Sequence, residues 1–179
     1  YCSFVSHSVE NDKARNLLPE YVSLLEKEII ETGEIARKIG VKLESVYIGG
    51  GTPTTLSAEQ LKTIIDAVKG NFDLSTCREF TVEAGRPDTI TEEKLLVLKN
   101  RPVDRISINP QTFNNSVLEA VGRRHTAEDT IKIFNLAREI GFNNINMDLI
   151  AGLPTDTVEG FKYSLDTAIN LDPENITVH

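Results

Sequence analysis

The chain has 179 residues, 40% of them hydrophobic, which suits one substantial core of ordinary soluble composition. A net charge of −8 argues against a general nucleic-acid surface, and no apolar run approaches the ~20 residues of a membrane span. Two cysteines, Cys2 and Cys77, are too few for a secreted disulfide framework, and no charged-then-apolar leader opens the chain, so a reducing, cytoplasmic setting is expected.

In chain order, helix and strand signals alternate. Leu18, Tyr21, Val22, Leu25, Ile29 and Ile30 fall at helical spacing within 17–38, and Gly40 ends that helix. A short strand at 45–48 follows. Ser57 with Gln60 has the pattern of a capping box for a helix reaching about residue 69. Residues 79–83 read as a strand with Phe80 and Val82 on one face and Thr81 and Glu83 on the other. Thr91 caps a helix to about residue 98, without a capping-box partner. A strand at 105–108 precedes a short helix begun by Asn114, and Thr126 with Asp129 begins a longer one ending at Gly141. Strand 145–150, helix 157–170 and strand 176–178 complete the series.

Five strands alternating with helices, without hairpin signals, mean a parallel α/β sheet, either an open doubly wound sheet or a (βα) barrel. No linker or low-complexity segment divides the chain, so 1–179 reads as a single domain piece. The absence of an initiating methionine, and a stop directly after a strand-like run, read as cuts in a longer protein.

Parallel α/β folds collect binding groups at the carboxyl ends of their strands. Here those ends carry Gly49-Gly50-Gly51-Thr52-Pro53, Glu83, Asn109-Pro110-Gln111 and Asp148. A glycine-rich turn alone serves equally as a tight turn, and a lone carboxylate as a helix cap. Polar groups at four consecutive strand ends are harder to explain without a ligand, because buried parallel strands are ordinarily apolar. The glycine loop lacks the Lys of a P-loop and the third glycine of a dinucleotide fingerprint. No Gly-x-Ser-x-Gly elbow occurs, and His7, His125 and His179 have no zinc spacing with the cysteines. Cys77 reads as an inert thiol between a helix and a strand.

Taken in order, YCSF, YIGGGTP, TVEAGRPDTIT, SINPQTF, GRRH and NINMDLIAGLP resemble the radical S-adenosylmethionine enzymes, and most of all the oxygen-independent coproporphyrinogen III oxidase family. The variants EAGRPDTIT and SINPQT are similar to its coproporphyrinogen-oxidase-like branch in Gram-positive bacteria. The resemblance spans nearly the whole chain and implies a partial (βα)6 TIM-like barrel whose second to sixth strands are present. It also implies a [4Fe-4S] cluster held by three cysteines, of which Cys2 resembles the third. With one such cysteine, the chain by itself is expected to hold no intact cluster.

The same resemblance assigns an S-adenosylmethionine site. Gly50, Gly51 and Thr52 would approach the methionyl amine, and Glu83 the ribose hydroxyls or that ammonium. Gln111 and Asp148 would complete the polar shell, Arg123 would pair with the methionyl carboxylate, and Ile150 and Tyr1 would flank the adenine. Asn109-Pro110 departs from the Gly-Val common in the family, which leaves the orientation of Gln111 open. The implied reaction is oxidative decarboxylation of coproporphyrinogen III to protoporphyrinogen IX, with a tetrapyrrole substrate and an electron donor such as flavodoxin or ferredoxin. A haem chaperone of the same family, or a radical enzyme of another substrate, are the alternatives.

Overall fold

The alternation read from the sequence is realised in the computed structural model, which describes residues 12–179. The helices are α1 (Asp12–Lys38), α2 (Ala58–Asn71), α3 (Glu92–Lys99), α4 (Asn115–Ala120), α5 (Ala127–Ile140) and α6 (Val158–Leu171). Between and after them run β1 (Ser45–Ile48), β2 (Glu79–Ala84), β3 (Arg105–Ile108), β4 (Ile145–Leu149) and β5 (Asn175–Val178).

The helix starts follow the capping chemistry. Ser57 and Gln60 form a reciprocal box on α2, and Thr126 and Asp129 form another on α5. Thr91 accepts from the Lys94 amide at 3.3 Å, but a lysine side chain has no acceptor with which to return the bond. Helix α1 begins five residues before the expected start. Its added first turn is polar in sequence (Asp12, Lys13, Arg15, Asn16), so it carries no apolar stripe to reveal it. Single 3-10 turns at Pro53–Thr55 and Pro87–Thr89, too short for a periodic signal, follow β1 and β2.

All neighbouring strands pair in parallel, in the sequential order β1-β2-β3-β4-β5. A doubly wound sheet reverses its strand order at a switch point, and none occurs here. Right-handed crossovers repeated in one direction put every connecting helix on the same face. The order therefore decides for the barrel-type winding.

The two faces have opposite chemistry. Val46, Ile48, Phe80, Val82, Ile106, Ile108, Ile145, Met147 and Leu149 meet helix residues such as Ile65, Leu95, Leu98, Phe134 and Ala168 in one core. Fully burying each such side chain contributes about 1.5–3 kcal/mol. The alternate residues Tyr47, Thr81, Glu83, Arg105, Ser107, Asn146, Asp148 and Thr177 form a polar inner face. In register, Glu83 lies opposite Ser107, Ser107 opposite Asn146, and Asp148 opposite Thr177. Closed (βα)8 barrels fill this layer with branched apolar side chains. Here it is a hydrogen-bonded polar surface leading to the strands' carboxyl ends.

Candidate functional site

The mouth is built from the four loops that follow β1 to β4. Each glycine of the first loop has its own circumstance. A Cβ on Gly49 would lie 2.5 Å from the Tyr47 ring and 3.3 Å from the Glu83 carboxyl carbon, so a side chain there collides with both. Gly50 has φ +110°, a conformation that L-residues rarely adopt. Gly51 meets nothing within 4 Å and carries no such constraint. The space beside it is open, and it lines a cavity shared with Leu18, Tyr21 and Leu25 of α1. The Thr52 hydroxyl donates to the Gly51 carbonyl, while the Thr52 carbonyl accepts from the Thr55 amide at 3.0 Å, which closes the 3-10 turn.

A second clamp holds this loop. Lys94, on α3, donates to the carbonyls of Thr54 at 2.6 Å and Thr89 at 2.8 Å, and the Thr54 and Thr89 hydroxyls lie 2.6 Å apart. The loops after β1 and β2 are thus tied together from the helix side. Burial lowers the pKa of Lys94 below its ordinary value.

On the inner face, the Tyr47 phenol donates to one Glu83 oxygen. Desolvation, then the Glu83 bond and charge, push the Tyr47 pKa up to about 12, so the phenol stays a donor throughout the working pH range. Asp148 accepts from the Asn146 amide at 2.7 Å, and its other oxygen lies 3.7 Å from His179 Nε2. Asn146 in turn accepts from the Thr177 hydroxyl at 3.0 Å.

Gln111 is buried and holds φ +69°, in the left-handed region, which a non-glycine residue occupies only when its surroundings impose it. Here the imposing contacts are its amide on the Asp148 carbonyl at 3.0 Å and its carbonyl on the Ile150 amide at 2.9 Å. Gln111 and Asp148 are therefore fixed to each other through the backbone, with Ile150 alongside. Asn109 reaches toward Gly85, and its buried Oδ1 has no hydrogen-bond partner among the described residues.

The Gly122-Arg123-Arg124-His125 segment lies between α4 and α5 and docks onto the same end of the sheet. His125 is buried with Nε2 3.4 Å from the Pro110 carbonyl, just after β3, and Arg123 on the same segment is half-buried. Desolvation holds the His125 pKa below its ordinary value.

Gly50, Gly51, Thr52, Glu83, Gln111, Asp148 and Ile150 thus all lie at one end of the sheet, and Arg123 lies on a loop anchored there. Tyr1 and Cys2, expected beside the adenine and the cluster, fall outside the described residues, as does His7. Among the described residues no group of three or more His, Cys, Asp or Glu could hold a metal. Cys77 sits between α2 and β2, at the amino end of the strand and far from the mouth, with its thiol 3.4 Å from the Glu79 carbonyl. Sequence reasoning missed Tyr47, Lys94 and the tether made by His125. For Tyr47 a signal existed, since strand alternation puts it on the face of Glu83.

The Radical SAM superfamily model matches residues 1–168. The chain belongs to this superfamily. Among curated relatives of this radical SAM chain, the oxygen-independent coproporphyrinogen-III oxidase-like protein HemZ of Bacillus subtilis (strain 168) is 46% identical over 180 residues. That match covers 100% of this chain and 36% of HemZ. The heme chaperone HemW of the same organism is 42% identical over 183 residues, covering 100% of this chain and 46% of HemW. The solved structure of coproporphyrinogen III oxidase (HemN) from Escherichia coli superposes with a TM-score of 0.80 at 32% identity, over 89% of this chain and 36% of HemN. The chain spans less than half the length of each of these relatives. No helix among the described residues is long and apolar enough to cross a membrane.

Proposed function

We propose that this chain is the S-adenosylmethionine-binding core of a radical enzyme of tetrapyrrole metabolism, whose reaction is the oxidative decarboxylation of coproporphyrinogen III. The observation that carries the cofactor reading is the mouth itself. Open backbone at Gly51, the carboxylates Glu83 and Asp148, and the left-handed Gln111 all stand at the carboxyl ends of the strands.

These groups suit S-adenosylmethionine. Gly50, Gly51 and Thr52 offer backbone to the methionyl amine and carboxylate, and Glu83 offers an acceptor to ribose hydroxyls or ammonium. Asp148 and Gln111 add acceptor and amide groups, Arg123 suits a carboxylate, and Ile150 supplies apolar surface for the adenine. A [4Fe-4S] cluster would need thiolates from outside the described residues, of which Cys2 is one. When bound, cluster and S-adenosylmethionine together supply one-electron hydrogen-atom abstraction. This chain's residues bind the cofactor, orient it and limit access of water.

The tetrapyrrole substrate rests on the likeness to HemZ and HemN. A second reading, haem carriage, is favoured by the equally complete match to a heme chaperone. The deciding experiment uses the full-length protein, anaerobic and cluster-loaded, with a strong reductant. Decarboxylation of coproporphyrinogen III supports the oxidase, whereas tight haem binding without decarboxylation supports the chaperone. Absence of S-adenosylmethionine cleavage would defeat every radical reading.

A further inference from the structure

We infer that Tyr47 is a positioning residue of this site, holding one oxygen of Glu83 so that the other faces the ligand, and that Gly49 is glycine to leave room for the Tyr47 ring. The inference rests on the reading of Glu83 as a cofactor ligand.

Tyr47 stands on the inner face of β1, with Thr81 as its register partner on β2, so Glu83 is its diagonal neighbour toward the carboxyl end. That diagonal lies within reach of an aromatic side chain, and the phenol donates to Glu83 Oε1. Glu83 has no other hydrogen bond from the protein among the described residues. The carboxylate of a long side chain would otherwise sample several rotamers, and ordering it on binding would weaken affinity. A standing donor removes that loss. Desolvation, then the bond to Glu83 and the charges of Glu83 and Asp148, keep the phenol protonated, and Arg105 opposes them. The donor is therefore present at every pH at which the protein works.

Gly49 completes the device. Its Cβ position lies 2.5 Å from Tyr47 Cε1, 3.0 Å from Cδ1 and 3.3 Å from Glu83 Cδ. Tyrosine ring, carboxylate and glycine backbone thus form one stack. The first glycine of the loop serves the tyrosine, whereas the third faces open space. This division was not visible in the sequence, where the three glycines look equivalent.

The test is a double-mutant cycle on the full-length, cluster-loaded protein, with S-adenosylmethionine affinity measured at equilibrium. Tyr47→Phe keeps the ring and removes only the donor. It should weaken affinity by about tenfold, the scale of one hydrogen bond to a charged group. In a Glu83→Ala background the same change should have little further effect, because the acceptor it acts through is gone. Gly49→Ala, which pushes the ring off the carboxylate, should reproduce the loss of Tyr47→Phe and not add to it. Wild-type affinity in Tyr47→Phe, or the same fold-loss with and without Glu83, would overturn the positioning role while leaving Glu83 as a ligand. Unchanged affinity in Glu83→Gln alone would remove Glu83 from the site, and the inference with it. If Tyr47→Phe fails to fold, Gly49→Ala with and without Glu83→Ala separates the same two outcomes.

Discussion

At the scale of single residues, the glycine loop separates three roles that one composition conceals. Gly50 is a conformational requirement. Gly50→Ala forces a Cβ into φ +110° and should cost about 1–3 kcal/mol of folding stability, read as a lower denaturation midpoint. Gly51 has no such constraint and no neighbour within 4 Å. Gly51→Val should leave stability within about 0.5 kcal/mol of wild type yet weaken S-adenosylmethionine binding, because a branched side chain then fills space that the proposed site leaves to the ligand. Intact affinity in that variant would mean that Gly51 serves only the turn. Gln111 shows a related contrast between fold and site. Its left-handed backbone is imposed by bonds to Asp148 and Ile150, so the chain tolerates local strain at the carboxyl end of the sheet, where the proposed site lies.

At the scale of elements, the loops carry the organisation that periodicity cannot reveal. Strands 45–48 and 105–108 and the starts of α2 and α5 were legible because alternation and capping boxes are local signals. Glu83, Gln111 and Asp148 were legible as polar residues at the carboxyl ends of parallel strands. The Lys94 clamp and the His125 tether were not, since each joins residues 15 to 40 positions apart with no local pattern. The tether has a pH signature. His125 is held below its unfolded value of 6.5 by desolvation, so below that pH the unfolded chain takes up the proton first. Its contribution to stability is present above pH 6.5 and is lost as pH falls toward the folded value. The fold, and with it the segment carrying Arg123, should weaken on acidification through this window. His125→Leu should flatten that slope in denaturation measured from pH 7 to about pH 5.5. An unchanged slope would assign the dependence elsewhere. Asp129 and Glu174, whose pKa values are lowered from 3.8 and 4.5, lose their contributions only at lower pH.

At the scale of the whole molecule, sequential strand order gives the sheet one covered face and one polar face, and the two should fail differently when altered. Met147 and Asn146 are neighbours on β4, both buried, pointing to opposite sides. Met147 belongs to the helix-facing core. Met147→Ala leaves a cavity there and should cost about 2–5 kcal/mol, while cofactor affinity in the protein that remains folded stays close to wild type. Asn146 instead links Thr177 to Asp148 across the inner face. Asn146→Ala leaves the Thr177 hydroxyl and one Asp148 oxygen without this partner and should cost about 1–3 kcal/mol. It should also weaken S-adenosylmethionine binding, because Asp148 loses the bond that orients it. Thermal unfolding and equilibrium binding on the same two variants separate these outcomes. If Asn146→Ala lost stability but bound S-adenosylmethionine as tightly as wild type, the inner polar network would be structural, and Asp148 would reach the ligand without its help or not at all.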